Sequence, residues 1–435
     1  MASIIIATVP VHGHVTPLLS VARRLRERGD RVRFLTGARF VELVSDTGAE
    51  HIPLPDEADF DDRQDLAQTF PERAALKGAK ALAFDVEHVF VRPAQAQHEA
   101  VMAMHATERA DVLLADPAFV GAAFVGGHAH ADRPPVLVCG VVPLTLASRD
   151  TAPYGMGLTP LRGPVGRVRN ALLAQLAART VFPPAERAAD EIHRGLFGRP
   201  LPYPVLDWPR HAEAIAQFTV PEFEYPRSDA PSTLHFVGPI SASGSQAPLP
   251  PWWHDLDGTR PVVHVTQGTI ANRDYRQIIA PTLTALADDD VLVVVSTGGR
   301  SLDTLPPLPD NARAAPYLPY DSLLPKTDVF VTNGGYGGVQ YALRHGVPVV
   351  TSGGKEDKPE VAGRVAWSGA GRRLNTETPT PTAVRTAVHS VLDDPVYRAK
   401  AQAIATSMDR AGGLERLVEI IDGVRPQGPR PSETT

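Results

Sequence analysis

A cluster of glycines in the last third of the chain strongly limits what this sequence can fold into. Residues 328–332 read DVFVT, which predicts a buried strand. Four glycines follow the strand at once: Gly334, Gly335, Gly337 and Gly338. Glycine has no Cβ, so backbone amides there can approach a ligand closely, and a helix predicted over residues 336–345 would point its positive end at the same place. The pattern predicts an anion-binding turn, although such turns also serve as plain strand-to-helix connections.

The opening of the chain has the same strand-to-turn-to-helix order. Residues 4–8 predict a buried strand, and we expect a helix after it with Thr16 as its N-cap and Gly29 just past its end. The loop between them would present His12 and His14 at the carboxyl edge of a parallel sheet, where open α/β folds bind ligands. A histidine there can act as a base, although a lone surface histidine is more often incidental.

A carboxylate that could orient such a histidine follows the strand predicted over residues 112–115. Asp116 emerges at the carboxyl end of that strand, at the same sheet edge as His14. Asp116 could instead cap the helix that begins near Pro117. Both roles are compatible because a carboxylate has two oxygens.

Composition favours a two-domain protein without a polyanionic partner. The 435 residues suffice for two domains of roughly 200 residues each. A formal net charge of −6 argues against nucleic-acid binding. The single cysteine, Cys139, allows no intramolecular disulfide and fits a reducing compartment. The sequence has no run of about 18 apolar residues for a membrane span and no basic region typical of a signal peptide, so we expect a cytoplasmic protein.

Strand and helix patterns alternate along the chain, which predicts an α/β fold with parallel sheets and helices on both faces. Residues 226–253 are rich in proline, serine and glycine and are predicted to link two domains. The first domain would span residues 1–225 and the second residues 254–410. A helix over residues 411–424 would pack back on the first domain, and residues 425–435 would be disordered.

The chain continues after the glycine cluster with Gly346-Val347-Pro348 and then Glu356-Asp357-Lys358. Together with the Gly13-His14 pair, this pattern resembles the family 1 nucleotide-sugar glycosyltransferases, nearly from end to end. The resemblance implies the GT-B fold, in which two Rossmann-like, doubly wound domains face each other across a cleft. The first domain would then bind the acceptor and the second the nucleotide sugar.

The sequence differs from the family signature at four positions and retains the signature residue at a fifth. Asn333 stands where the phosphate-contacting His usually is, and Gly338 replaces a small hydroxyl residue. Tyr341 replaces an acidic ribose ligand, and Lys358 replaces a sugar-contacting Gln. Asp357 is retained.

The resemblance also implies roles for individual residues. His14 would be the catalytic base, and Asp116 would fix its tautomer and stabilise the imidazolium. Tyr317 would stack on the nucleobase, unless it is a partly buried core aromatic. Lys358 would contact the sugar or the diphosphate, unless it is an ordinary exposed lysine. The implied donor-binding residues are Gly268, Thr269, Tyr317, Leu318, Tyr320, Asn333, Gly335, Gly337, Gly338, Asp357 and Lys358. For the acceptor we name Phe84, Phe90 and Phe119, although such aromatics are more often core.

The implied reaction is inverting transfer of a hexose from a nucleoside diphosphate sugar to a lipophilic hydroxylated small molecule, such as a polyketide, macrolide or phenol. UDP-glucose is the first expectation and a dTDP-sugar the alternative. No metal or other cofactor is expected: Asp288, Asp289 and Asp290 resemble the acidic metal motifs of other glycosyltransferases but more simply predict a solvated turn. A homodimer is compatible with this function.

Other classes of protein remain as alternatives. The departures at Asn333, Tyr341 and Lys358 suggest a catalytically silent sugar-nucleotide-binding protein, whereas the retained His14, Asp116 and Asp357 argue against it. A nucleotide-sugar epimerase can share the two-domain architecture. An oxidoreductase is disfavoured because the first turn, PVHGHVTP, lacks the dinucleotide-binding fingerprint.

Overall fold

The chain folds around two separate parallel sheets. The computed structural model describes residues 1–64, 66–240, 247–270, 272–354 and 357–425. The first sheet is formed by β1 (Ser3–Ala7), β2 (Arg31–Thr36), β3 (Glu50–Pro53), β4 (Val112–Ala115), β5 (Val136–Gly140), β6 (Ala214–Gln217) and β7 (Leu234–Phe236). The second is formed by β8 (Val262–Thr266), β9 (Leu292–Ser296), β10 (Ala312–Ala315), β11 (Val329–Thr332), β12 (Val349–Ser352) and β13 (Gly371–Leu374). The predicted α/β class with two parallel-sheet domains is confirmed.

Helices pack on these sheets and connect their strands. Those before the second sheet are α1 (His12–Glu27), α2 (Val41–Ser45), α3 (Leu66–Thr69), α4 (Gly78–Asp85), α5 (Ala94–Thr107), α6 (Gly121–Val125), α7 (Gly163–Thr180) and α8 (Pro183–Phe197). The later ones are α9 (Ile279–Leu286), α10 (Tyr320–Leu323), α11 (Tyr336–Arg344), α12 (Lys358–Ser368), α13 (Pro381–Asp393), α14 (Pro395–Arg410) and α15 (Gly413–Val424). A π-helix, Val86–Val91, continues α4. None of the helices in the described ranges combines the length and apolarity needed to span a bilayer.

Continuous apolar strands explain why both faces of the first sheet are covered. In β1, alternate side chains point to opposite faces, so Ile4 and Ile6 enter one core cluster while Ile5 and Ala7 enter another. All four side chains are fully buried. Parallel strands buried on both faces require such unbroken hydrophobic runs, which is why they were recognisable in the sequence.

Both sheets reverse their strand order at a position that faces the cleft. The first sheet has the order β3-β2-β1-β4-β5-β6-β7, and the second has the order β10-β9-β8-β11-β12-β13. Successive connections run in opposite directions from β1 and from β8, so a crevice opens beyond the carboxyl ends of β1 and β4 in one sheet and of β8 and β11 in the other. The turns singled out in the sequence lie in these two crevices.

Helix α1 starts earlier than predicted. It begins at His12, after Val11 in extended conformation, and the Thr16 hydroxyl donates to the His12 carbonyl at 2.7 Å instead of capping the helix. No side chain caps this N-terminus, which therefore has no capping residue that could be recognised in the sequence. The C-terminus ends as predicted, because Gly29 adopts a positive φ of 90° and its amide closes the last turn on Arg26. His14 therefore lies in the first helical turn and not in a loop.

The predicted linker over residues 226–253 contains a strand. β7 pairs in parallel with β6 and extends the first sheet, so the first domain includes residues beyond 225. Three residues between proline- and serine-rich stretches were too short a run to be recognised. Helix α15 lies against the first sheet, with Leu417, Ile420 and Ile421 in its core. Residues 241–246 of the linker and residues 426–435 of the tail lie outside the described residues.

A buried cluster of charges joins the two domains. Arg364, on α12 of the second domain, donates through Nε and Nη2 to the Glu224 carboxylate of the first domain at 2.6–3.0 Å. Its Nη1 donates to Glu360 Oε2 at 2.8 Å. Glu360 Oε1 in turn accepts the backbone amides of Gly155 at 3.0 Å and Gly157 at 2.8 Å. Arg364 is completely buried, and the charges of Glu224 and Glu360 raise its pKa against the opposing effect of burial.

We expect Arg364→Ala to lower the free energy of unfolding by about 3–5 kcal/mol, because Glu360 would stay buried without its counter-charge and Glu224 would keep only Arg227, 3.2 Å away. Urea denaturation followed by circular dichroism measures this loss. The matched control is Arg24→Ala, which breaks the exposed Arg24–Glu415 pair and should leave the denaturation midpoint nearly unchanged. Equal midpoints for Arg364→Ala and the unchanged protein would contradict a stabilising role for the cluster.

Candidate active site

A histidine–carboxylate pair lies beyond the carboxyl ends of β1 and β4. His14 Nδ1 is 3.0 Å from Asp116 Oδ1, and the Asp116 side chain is fully buried whereas 16% of the His14 side chain is exposed. With Nδ1 directed at the carboxylate, Nε2 is on the other side of the ring and is the nitrogen that can accept a proton. The structure thus brings together the two residues predicted to form a dyad.

Asp116 is held by three further donors. Its Oδ2 accepts the Thr8 hydroxyl and the Val9 amide, the latter at 2.9 Å, and Oδ1 accepts the Ala118 amide at 2.7 Å. The carboxylate therefore both contacts His14 and closes the turn that follows β4. No helix begins near Pro117, since α6 starts at Gly121 after Val120, so Asp116 closes a turn and does not cap a helix.

The pair favours the charged form of both partners. Burial by itself would lower the pKa of His14, but the charge and hydrogen bond of Asp116 raise it above its ordinary value of 6.5. Burial alone would raise the pKa of Asp116, but His14, Thr8 and the Val9 amide lower it. Asp116 thus stays ionised, and His14 is a stronger base than a buried imidazole would be without a carboxylate.

The predicted glycine turn lies at the equivalent place in the second sheet. Gly335 precedes α11 in extended conformation, and Gly334 has a φ of 95°. A Cβ at Gly334 would come within 2.8 Å of the Thr351 hydroxyl, so glycine is required there. A Cβ at Gly335 or Gly337 would meet no other described atom within 4 Å. The first turn of α11 is therefore open, and its backbone amides, which have no intrahelical acceptors, can receive an anion.

Asn333 has a structural contact at the start of this turn. It is buried, and its side-chain amide donates to the Gln267 carbonyl at 3.2 Å. This contact ties the end of β11 to the turn after β8, where Gly268 and Thr269 are exposed. The predicted residues Gly268, Thr269 and Asn333 therefore meet along one crevice, with Asn333 directed partly towards the protein.

Asp357 and Lys358 form the start of α12, beside the glycine turn. The charge of Asp357 helps to raise the pKa of His14, which places the two residues within electrostatic range of each other across the cleft. Lys358 is only 9% exposed, and its Cβ lies 3.5 Å from the position that a Cβ on Gly334 would take. It is not an ordinary exposed lysine. Glu356, the first residue of the predicted Glu-Asp-Lys element, lies outside the described residues.

The predicted nucleobase platform follows β10. Tyr317 is 51% exposed, so it is not a core aromatic. Its ring lies against Gly299, where any side chain would clash with the phenol. Tyr320 packs edge-on against His264, with ring centroids 5.2 Å apart. Leu318 differs from the prediction, because the residue is 1% exposed and packs in the core.

The predicted acceptor aromatics do not form one surface. Phe84 stacks on His88 with centroids 4.2 Å apart and contacts Phe70 edge-on. Phe90 packs on a separate core cluster. The prediction for Phe119 is wrong: its side chain is completely buried in the core of the first domain and presents no surface to an acceptor. Aromatic residues outside regular patterns cannot be sorted into core and pocket from sequence.

Two other sequence features have local partners in the structure. The Tyr341 hydroxyl donates to Asp321, a neighbour that sequence order did not reveal. Asp289 contacts Arg385, and its Oδ2 is 2.8 Å from His389 Nε2. The acidic run therefore ties its turn to α13.

Two residues near the site have no sequence pattern that predicts their role. The sequence predicts Thr8 only as the last residue of a buried strand. In the structure its hydroxyl donates to Asp116 Oδ2. Tyr154 lies in the segment between β5 and α7, and burial together with the Asp357 and Glu360 carboxylates raises its pKa. The amide of its neighbour Gly155 donates to Glu360 on α12, so Tyr154 lies near that helix. Its position depends on the interdomain contacts of Gly155 and Gly157, which have no signal in the sequence.

Similar proteins give the class of this chain. The family described as Erythromycin biosynthesis protein CIII-like, C-terminal domain, matches residues 280–413. The glycotransferase of kitacinnamycin has the same fold, with a TM-score of 0.72, 23% identity, and coverage of 98% of this chain and 99% of that one. This likeness and the two sheets that reverse their strand order give the molecule the GT-B fold.

Two similar sequences show the family to which the chain belongs. The chain is 39% identical to 4'-demethylrebeccamycin synthase of Lentzea aerocolonigenes, over 97% of this chain and 99% of the relative. It is 32% identical to UDP-glucosyltransferase A1 of Starmerella bombicola, over 96% of this chain and 91% of the relative. The chain belongs to the family 1 natural-product glycosyltransferases, as its sequence pattern predicted.

The His14–Asp116 contact predicts a definite titration behaviour. In Asp116→Asn the carboxylate charge is lost while burial remains, so the pKa of His14 should fall from above 6.5 to below it. NMR titration of the imidazole protons measures the change, with His14→Gln identifying the resonance. His98, whose pKa burial and His128 lower to about 4, should titrate unchanged and serves as the internal control. An unshifted His14 would show that Asp116 does not set its protonation.

Proposed function

We propose that this protein transfers a hexose from a nucleoside diphosphate sugar to a hydroxyl group by a single displacement that inverts the anomeric centre. The observation that carries the proposal is the His14–Asp116 pair at the crevice of the first sheet, within electrostatic range of Asp357 at the crevice of the second. A base on one side and a donor-binding turn on the other suit an acceptor and a donor that meet in the cleft.

His14 Nε2 would remove the acceptor proton as the hydroxyl oxygen attacks the anomeric carbon. The bond from that carbon to the diphosphate breaks in the same step, and the nucleotide departs with the electron pair. Asp116 stabilises the imidazolium that forms, because its ionised carboxylate is already hydrogen-bonded to Nδ1. General-base assistance of this kind contributes about 10²–10⁴ in rate.

The departing diphosphate would be held at the open first turn of α11. Backbone amides near Gly335, Gly337 and Gly338 and the positive end of the helix dipole stabilise the charge that develops there. Lys358, buried against Gly334, would add a positive charge that the neutral Asn333 cannot supply. We propose that no metal ion takes part, so transfer should continue in excess EDTA.

UDP-glucose is the donor we propose first. A relative named as a UDP-glucosyltransferase, similar over nearly the whole chain, supports this choice. Asp357 would hold sugar hydroxyls and Tyr317 would stack on the base. For the acceptor we propose a lipophilic hydroxylated molecule such as a polyketide, macrolide or phenol, supported by the relative named 4'-demethylrebeccamycin synthase.

His14→Ala should reduce turnover at least about 10²-fold while nucleotide affinity changes little, because proton removal and donor binding use different domains. Mass spectrometry of products from a donor–acceptor panel measures transfer, and calorimetry measures nucleotide binding. His12→Ala is the matched control, since His12 lies in the same helical turn without contacting Asp116 in the described structure. Near-normal transfer by His14→Ala would exclude it as the base. Nucleotide binding with no transfer by the unchanged protein would favour a silent binding protein.

Substitutions of Lys358 and Asp357 should distinguish binding of the diphosphate from binding of the sugar. Lys358→Gln is expected to weaken binding of both the nucleoside diphosphate and the nucleotide sugar, because the lost charge faces the diphosphate. Asp357→Asn should weaken chiefly the nucleotide sugar, since its proposed partners are sugar hydroxyls. Calorimetry with UDP and UDP-glucose makes the comparison. Equal UDP affinity in Lys358→Gln and the unchanged protein would remove Lys358 from the diphosphate site.

A further inference from the structure

Helix α7 carries a row of large apolar side chains that face solvent. Val165, Val168, Leu172 and Leu176 are 75%, 60%, 62% and 56% exposed. Their spacing of three and four residues puts them on one helix face. We call these four side chains the α7 row; Leu158 and Leu161, in the segment before the helix, are also exposed. Among the described residues, exposed large apolar side chains elsewhere are scattered, so the α7 row stands out as a continuous patch.

The helix is firmly attached through its opposite face. Gly166, Asn170 and Ala177 are buried there. A Cβ at Gly166 would overlap the Leu161 carbonyl, and Asn170 Nδ2 donates to the Arg149 carbonyl at 3.1 Å. The small residues therefore face the protein while the large ones face outward. The α7 row is a constant feature of the folded surface and not a poorly packed core.

The surroundings of the α7 row are basic although the whole chain is acidic. Residues 151–185 contain four arginines and no aspartate or glutamate; the arginines are Arg162, Arg167, Arg169 and Arg179. Arg167 is paired with Asp150 at 2.9 Å, whereas Arg162 and Arg179 are exposed. On the neighbouring α8, Glu186 and Asp190 accept backbone amides of Val205 and Leu201. The positive charge beside the row is thus largely uncompensated.

We propose that the α7 row docks on the surface of an anionic phospholipid bilayer. Apolar side chains would enter the boundary of the acyl chains while guanidinium groups contact lipid phosphates. Pairing with a second copy would bring the arginines of the two helices together without intervening carboxylates. Thirteen of the eighteen residues of α7 are exposed, so the helix protrudes over most of its circumference. A fluid interface can surround such a helix more completely than a rigid protein groove.

The docking would serve the proposed transfer reaction. Leu158 follows Gly157, whose amide donates to Glu360 on α12, the helix that begins beside Asp357. A lipophilic acceptor dissolved in the bilayer would therefore enter the cleft directly from the membrane. This consequence rests on the proposed function, whereas the docking itself does not.

Sedimentation of the full chain with lipid vesicles tests the docking without donor or acceptor. The protein should sediment with vesicles that contain phosphatidylglycerol, less in high salt, and little with pure phosphatidylcholine. The double variant Val168→Gln/Leu172→Gln should bind at least about tenfold more weakly. The matched control Leu302→Gln/Leu308→Gln removes two leucines of 40% and 42% exposure from the second domain and should bind normally. Circular dichroism verifies that both variants are folded.

The charge contribution is tested by Arg162→Gln/Arg179→Gln, which should weaken binding to the anionic vesicles alone. The proposal is overturned if the unchanged protein does not sediment with anionic vesicles at low salt. It is overturned as well if Val168→Gln/Leu172→Gln and the control Leu302→Gln/Leu308→Gln bind these vesicles with the same affinity. It is also overturned if light scattering shows a dimer that the Val168→Gln/Leu172→Gln change dissociates, since the row would then cover a second copy. Vesicle binding by a protein that transfers no sugar would leave the docking intact and remove the proposed function.

Discussion

The buried guanidinium of Arg364 is the contact on which the arrangement of the two domains depends. It binds Glu224 of the first domain and Glu360 of its own helix, and Glu360 holds the amides of Gly155 and Gly157. Arg364 would be costly to bury alone, so the two carboxylates must be in place when the domains meet. This requirement fixes α12 against the first domain and, with it, the position of the residues at its N-terminus.

The site follows from that fixed geometry. Each crevice is built locally by the reversal of strand order in its own sheet, and neither holds both a base and a donor-binding turn. Asp357 of the second domain adds to the rise in the pKa of His14. Asp116 contributes more, through its charge and its hydrogen bond. The chemistry of the proposed base is therefore set mainly within one domain and adjusted by the other.

Some predictions failed where a side chain's burial depends on distant residues. Leu318 and Phe119 stand in plausible motif positions, yet both side chains pack into the core. The sequence is compatible with Lys358 as either an exposed lysine or a ligand contact. In the structure Lys358 packs against Gly334 and Gly353 and is buried. The sequence did not predict strand β7. A strand of three residues is stabilised by its pairing with β6 and is too short to show an alternating apolar pattern.

The sequence by itself determined the class of fold, the glycine turn before α11, the strand end that presents Asp116, and the family. These features are local: unbroken apolar runs encode buried parallel strands, and glycines encode positive φ or close approach. Only the tertiary structure decided that Thr8 supports Asp116, that the segment of Tyr154 lies against α12, and that the apolar face of α7 is turned outward. Those outcomes depend on contacts between residues more than a hundred positions apart or on which face of a helix finds a partner, and no local pattern specifies either.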